Sequence, residues 1–87
     1  MNYRVNLSLE AEKTYRIANS TLLKKLDRCF ELLESNPYSH PNIKALRGNY
    51  RGCYRYRVGD YRVVYVVDET NALVNIITIA HRSKVYE

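Results

Sequence analysis

Tyr54-Arg55-Tyr56-Arg57-Val58-Gly59-Asp60-Tyr61-Arg62-Val63-Val64-Tyr65 is the stretch whose reading decides the fold. Two alternating segments rich in tyrosine and β-branched residues flank Gly59-Asp60, and Gly supplies the positive φ that a two-residue hairpin turn needs at its first central position. The turn fixes the register: Val58 opposes Tyr61, Arg57 opposes Arg62, Tyr56 opposes Val63, Arg55 opposes Val64 and Tyr54 opposes Tyr65. Side chains alternate between the faces of a sheet. Tyr54, Tyr56, Val58, Tyr61, Val63 and Tyr65 therefore make an apolar face for helices to cover, while Arg55, Arg57 and Arg62 share the other. Arg57 and Arg62 lie directly across from each other, where like charges destabilise a sheet. A solvated face with splayed side chains is the bland account of that pair; an anion site is the functional one.

Working outward, β-type runs are predicted at Lys44–Arg47, Cys53–Val58, Tyr61–Val67 and Leu73–Ala80, with a looser hairpin loop at Glu69-Thr70-Asn71. Upstream, Tyr3, Val5 and Leu7 alternate with polar residues as a short strand. Ser8 is a candidate N-cap, followed by Glu10 and Glu12 in a first helical turn where the helix dipole favours them. That helix runs to about Ala18, with Ala11, Tyr15 and Ala18 on one face, and Asn19-Ser20 breaks it and caps a second. Leu22, Leu23, Leu26, Cys29, Phe30 and Leu33 then recur as an apolar stripe until Ser35-Asn36-Pro37 ends the helix. The expected fold is α+β: an N-terminal strand, an antiparallel helix hairpin, and an antiparallel sheet completed by a C-terminal three-stranded meander.

Eighty-seven residues make one domain, 1–87, with no room for a second core. Fourteen Lys and Arg against nine Asp and Glu leave a net +5, which favours a polyanion as partner, although such a charge also serves solubility alone. No amphipathic basic helix, spanning run or signal peptide is present, so a membrane is not expected and the protein is placed in the cytoplasm. Cys29 and Cys53 lack metal or redox spacing and are expected as reduced thiols; no metal or other cofactor is implied.

If the loop after Val67 keeps even-numbered residues together, Thr78 falls beside Arg62, and Arg82 lies just past the strand end on the same side. Four arginines converging on one patch suit phosphate, because guanidinium forks bind its oxygens in pairs. The tail His81-Arg82-Ser83-Lys84-Val85-Tyr86-Glu87 adds His81 and Tyr86. Alone, each has a structural explanation, a surface or capping histidine and an aromatic pin for the terminus. With the arginines they supply what RNA transesterification needs: a base for the 2′-OH, stabilisation of the phosphorane, and an acid for the 5′-oxygen. The 2′-OH is the nucleophile, so the reaction requires no metal.

The runs Lys44-Ala45-Leu46-Arg47-Gly48, Tyr54 to Tyr65, and His81-Arg82-Ser83-Lys84-Val85-Tyr86 resemble the RelE/ParE superfamily of bacterial toxins. The resemblance covers the whole chain in element order. RelE-type members cleave messenger RNA in the ribosomal A site with basic residues on the sheet and a C-terminal Arg and Tyr. Arg55, Arg57, Arg62, Arg82 and Tyr86 fill those positions. In the best-known members the positions of Arg55 and Arg57 are lysines, one a candidate base. Arginine does not deprotonate in a protein, so the base role falls here to Tyr86, whose pKa neighbouring arginines would lower. Arg82 and Arg62 are assigned to the phosphate, and His81 or Arg55 to the leaving group. Lys44, Arg47, Arg51 and Lys84 complete the expected RNA-binding surface.

The resemblance also implies partners: the 30S A site with its mRNA, and a cognate antitoxin bearing acidic or apolar anchors. DNA would be met only through the antitoxin complex. With one residue after Tyr86, no C-terminal helix is expected, which leaves the antitoxin to cover the basic face or distort the catalytic geometry. The alternative from the same superfamily is a ParE-type inhibitor of DNA gyrase without nuclease activity. A relic that retains only antitoxin binding and autoregulation is the third reading.

Overall fold

In a computed structural model that describes residues 2–85, the chain runs β1 (Arg4–Leu7), α1 (Leu9–Ile17), α2 (Ser20–Ser35), β2 (Ile43–Ala45), β3 (Tyr54–Val58), β4 (Tyr61–Asp68) and β5 (Leu73–His81). Short 3₁₀ turns occupy Gly48–Tyr50 and Arg82–Lys84. Both helix caps form as the sequence predicts. The Ser8 hydroxyl accepts from the Ala11 amide at 3.0 Å, and the Asn19 side chain accepts from the Leu22 amide at 2.9 Å. These bonds satisfy amide groups that have no partner within the helix.

The five strands form one sheet in the order β1-β5-β4-β3-β2. The β3–β4 register is the predicted one, from Val58↔Tyr61 to Tyr54↔Tyr65, and Gly59 sits at φ +58°. The sheet is not wholly antiparallel, because β1 pairs parallel with β5, Arg4 to Leu73 through Leu7 to Ile76. The helical crossover between β1 and the meander carries the chain over one face, which is what a parallel neighbour requires.

One further departure lies between β4 and β5. Arg62 pairs with Ala80 and Val64 with Thr78, so Thr78 is not beside Arg62; a bulge then shifts the register, and Tyr65 pairs with Ile76. The bulge has a packing reason. It absorbs the extra residue Ile77, so that Ile76 and Ile79 both reach the core.

That core lies between the sheet and the helices. Leu26, Cys29 and Leu33 of α2 and Ala11 of α1 pack on Tyr56, Val58, Val63, Tyr65, Val74, Ile76 and Ile79. Tyr15 ties the helices together, its ring 5.9 Å from Phe30 and its hydroxyl donating to Asp27 at 2.6 Å. Burial raises the thiol pKa of Cys29 to about 12, and both cysteines are free. Among the described residues no helix is long and apolar enough to cross a membrane.

A smaller cluster covers the other face of the sheet. Leu46 and Val85 pack on fully buried Val64, with Tyr50, Cys53 and Ala80 around them. β2 is therefore shorter than the predicted Lys44–Arg47: Leu46 leaves the strand to cover Val64, and Gly48, at φ +64°, turns the chain into the first 3₁₀ turn.

Candidate active site

Arg55 and Arg62 do share the face opposite the main core, but neither is splayed into water. Each is only 7% exposed. The Leu46–Val64–Val85 cluster lies on the same face, and backbone carbonyls accept hydrogen bonds from both side chains. Arg62 Nη1 donates to the carbonyls of Gly59 at 3.2 Å and Tyr61 at 3.1 Å. Arg55 Nη1 donates to the Asn42 carbonyl at 2.5 Å. A buried guanidinium needs such acceptors, because desolvating the charge without hydrogen bonds is expensive.

The carbonyl contacts also relieve the cross-strand repulsion. Arg62 turns toward the Gly59-Asp60 hairpin, whereas its partner Arg57 is exposed and lines a hollow at the free edge of β3. Arg57 therefore diverges from the other two.

Arg82 approaches from the opposite direction. Its amide donates to the Asp60 carbonyl at 2.7 Å, which anchors the second 3₁₀ turn on the same hairpin turn that Arg62 grips. Arg82 is exposed, and Val85, immediately after the turn, packs into the cluster with Val64. Two arginines distant in sequence are thus brought to one hairpin end, Arg62 buried and Arg82 exposed.

The expected RNA-binding residues surround this cluster. Lys44 pairs with Arg55 across β2 and β3, so both project from the same face. Arg47 and Arg51 bracket the first 3₁₀ turn, whose Tyr50 packs into the cluster, and Lys84 lies in the second. All four are exposed.

His81 does not join them. Its Cα partner is Tyr61, and the rings stand edge to face with centroids 5.8 Å apart, on the side of the sheet that the helices cover. His81 Nδ1 accepts from the Ser83 amide at 3.3 Å and so caps the second 3₁₀ turn. Thr78 is likewise engaged elsewhere, its hydroxyl donating to the Glu10 carboxylate. Tyr86 lies outside the described residues.

The strand pattern alone misses the part played by Leu46, Tyr50 and Val85. Their signal is an apolar residue set within basic, loop-like sequence, such as Ser83-Lys84-Val85. Asn42 is also missed, because its contribution to Arg55 is a backbone carbonyl and leaves no mark in residue type. Among the described residues, no three His, Cys, Asp or Glu side chains are grouped so as to hold a metal ion.

Comparison with known proteins places the chain in a family. Residues 5–86 match the family described as the ParE toxin of type II toxin–antitoxin systems. A 57-residue stretch, 66% of the chain, is 46% identical to Toxin RelE of Mycobacterium tuberculosis (strain ATCC 25618 / H37Rv); the match spans 57% of that relative's length. Among solved structures, the archaeal RelE–RelB complex from Pyrococcus horikoshii OT3 contains a chain with a TM-score of 0.81 and 26% identity, covering 98% of this chain and 100% of its own. The intact E. coli RelBE toxin–antitoxin complex contains another, with a TM-score of 0.77 and 27% identity, covering 91% and 95%.

Proposed function

The chain belongs to the RelE/ParE superfamily of type II toxins and is RelE-type within it; on that premise we propose that it is a ribosome-dependent mRNA endonuclease. One observation carries the reading: Arg62 and Arg82 meet at the Gly59-Asp60 turn, Arg62 fixed by backbone carbonyls and Arg82 anchored through its amide. Donors fixed in advance around a developing charge are the main source of electrostatic catalysis, since nothing has to reorganise when the charge appears.

In the proposed reaction, the 2′-OH of an A-site nucleotide attacks the adjacent phosphorus and the 5′-oxygen leaves. Arg62 and Arg82 bind the non-bridging oxygens, and Arg55 supports the charge and the departing 5′-oxygen. That oxygen takes a proton from water, which leaves a 2′,3′-cyclic phosphate and a 5′-hydroxyl. Tyr86 is proposed as the base. His81 takes no part as the acid, because it lies on the other side of the sheet from Arg62. Its bond to Ser83 suits it to positioning the turn that carries Arg82.

The partners proposed are the 30S A site with its mRNA, in a cytoplasmic setting, and a cognate antitoxin. The M. tuberculosis relative is a RelE toxin, one solved relative is a RelE–RelB complex, and the other is a RelBE toxin–antitoxin complex. The family description names ParE, so a gyrase inhibitor is the competing activity. The full set of Arg55, Arg57, Arg62, Arg82 and Tyr86 favours the nuclease.

Adding the protein to a cell-free translation system separates the two. The nuclease gives mRNA cut within the A-site codon, with new 5′-hydroxyl ends, and Arg62→Ala abolishes the cut. Loss of gyrase supercoiling with intact mRNA would overturn the assignment.

A further inference from the structure

Away from the Val64 cluster, a hollow of about 210 Å³ opens between α2 and the free edge of β3. Lys25, Arg28, Asn42, Tyr56, Arg57, Val58 and Gly59 line it. β2 ends its pairing at Ile43↔Tyr56, and the Arg57 amide donates to the Asn42 carbonyl at 3.0 Å, so the edge beyond is left uncovered. A second hollow of about 200 Å³ continues from it, sharing Lys25, Val58 and Gly59 and ending on Asn19 and Thr21 near the start of α2.

The charge in this groove is one-sided. Lys25 and Arg28 are one helical turn apart on α2, and Arg57 faces them from the strand. No carboxylate lines the first hollow, and Asp60 is the only one lining the second. The one ion pair among the described residues, Arg16 with Glu12, lies on α1. Three exposed cations drawn to one concavity without a carboxylate repel each other, and an anion relieves that repulsion. The Lys25 ammonium lies beside the Gly59 turn, 4.0 Å from where a Cβ on Gly59 would stand.

We infer that this groove is a second RNA-backbone site, in which Lys25, Arg28 and Arg57 grip phosphodiesters outside the bond that is cut. The inference rests on the RNA-cleaving function proposed above. A stretch of backbone suits the site better than a single phosphate, because three cations from two elements line the first hollow and Lys25 continues the groove into the second. Arg57 stands at the corner: its strand position belongs to the reaction face, and the residue also lines the groove. The arginine that diverges from Arg62 thereby links the two surfaces.

The test uses Lys25→Gln with Arg28→Gln, neither of which belongs to the proposed catalytic set. Binding to small ribosomal subunits is measured across a salt series. The subunits carry an mRNA whose A-site nucleotides lack 2′-hydroxyls and cannot be cut. The double variant is expected to bind on the order of tenfold more weakly at physiological salt, with the log–log salt slope reduced by about 2. Its kcat on cleavable message at saturating ribosomes stays at the wild-type value, and Lys25→Arg with Arg28→Lys restores the slope. The same loss on mRNA-free subunits assigns the backbone to ribosomal RNA; a loss confined to programmed subunits assigns it to the message.

An unchanged affinity and slope would overturn the proposal. So would a loss seen only against an acidic antitoxin-type peptide, which would make the groove a protein site. If the wild type binds with the full slope but cuts nothing, the nuclease reading falls and the groove stands.

Discussion

Arg55 Nη1 donates a 2.5 Å hydrogen bond to the Asn42 carbonyl, the same oxygen that accepts the Arg57 amide at 3.0 Å. One carbonyl therefore sets both the position of a proposed catalytic guanidinium and the register of the strand that carries it. The carbonyl is itself held by a histidine. His40 Nδ1 accepts from the Asn42 amide at 3.0 Å, and the His40 ring lies on Tyr56 with centroids 5.2 Å apart. The chain from His40 through Asn42 to Arg55 links the loop after α2 to the active face.

Replacing His40 with Ala is expected to lower cleavage by roughly tenfold to a hundredfold, the scale of a misplaced catalytic group. The global stability should change by about 1 kcal/mol, as for one hydrogen bond. Single-turnover cleavage in the four-member cycle with Arg55→Ala checks the route. In the Arg55→Ala background the His40 substitution should have little further effect.

The small cluster over Val64 predicts coupled losses of stability and activity. Leu46→Ala should destabilise the fold by about 2–3 kcal/mol, because the deletion leaves a gap over a fully buried valine. Cleavage should fall by more than the unfolded fraction explains, since both 3₁₀ turns adjoin this cluster. Urea unfolding, followed beside cleavage under conditions where the variant is fully folded, separates the two effects.

The two cysteines should react in a fixed order. Cys29 is buried against the helix-facing side of the sheet and its thiol is pushed up to about 12, while Cys53 is half-buried at the small cluster. At pH ~8, where an ordinary thiol is partly ionised, alkylation followed by peptide mapping should label Cys53 first. Cys29 should be labelled only at the rate of unfolding.

Alkaline pH should unfold the protein through its tyrosines. Tyr3 and Tyr38 both donate to the Glu69 carboxylate, and the Tyr65 hydroxyl donates to the Pro37 carbonyl at 2.7 Å. Hydrogen bonding to Glu69 raises the first two phenol pKa values, and burial raises that of Tyr65, each above the ordinary 10.0. A phenol whose pKa is raised by folding stabilises the native state fully below its unfolded value, and that contribution is lost as pH climbs past 10. Ultraviolet titration should show all three phenols ionising late, Tyr65 together with unfolding. Glu69→Gln should bring Tyr3 and Tyr38 back toward ordinary behaviour while leaving Tyr65 late.

Much of the fold was legible because its signals are local. Gly59-Asp60 sets a hairpin register by turn chemistry alone, and the α2 stripe from Leu22 to Leu33 names the residues that meet it. The bulge at Ile77 was not legible, since it reflects the need to bury Ile76 and Ile79 together against distant helices. The parallel pairing of β1 was hidden for the same reason: four residues carry no mark of a partner at the far end of the chain. In the site, alternation placed Arg55 and Arg62 on the correct face. Alternation carries no mark of their burial, nor of the cluster that Leu46 and Val85 build on the same face. The same alternation, carried along the true β5 register, is what removes His81 from the arginine face.

The pairing of Asn6 with Asn75, 69 residues apart, has a consequence for how the protein is made. β1 is the first strand translated, and it has no neighbour in the sheet until β5 follows. Contacts of such long sequence separation form late in folding. The strand that completes the sheet is also the one whose end leads into the turn bearing Arg82. The sheet therefore closes, and the hairpin end shared by Arg62 and Arg82 is completed, only once β5 has been made.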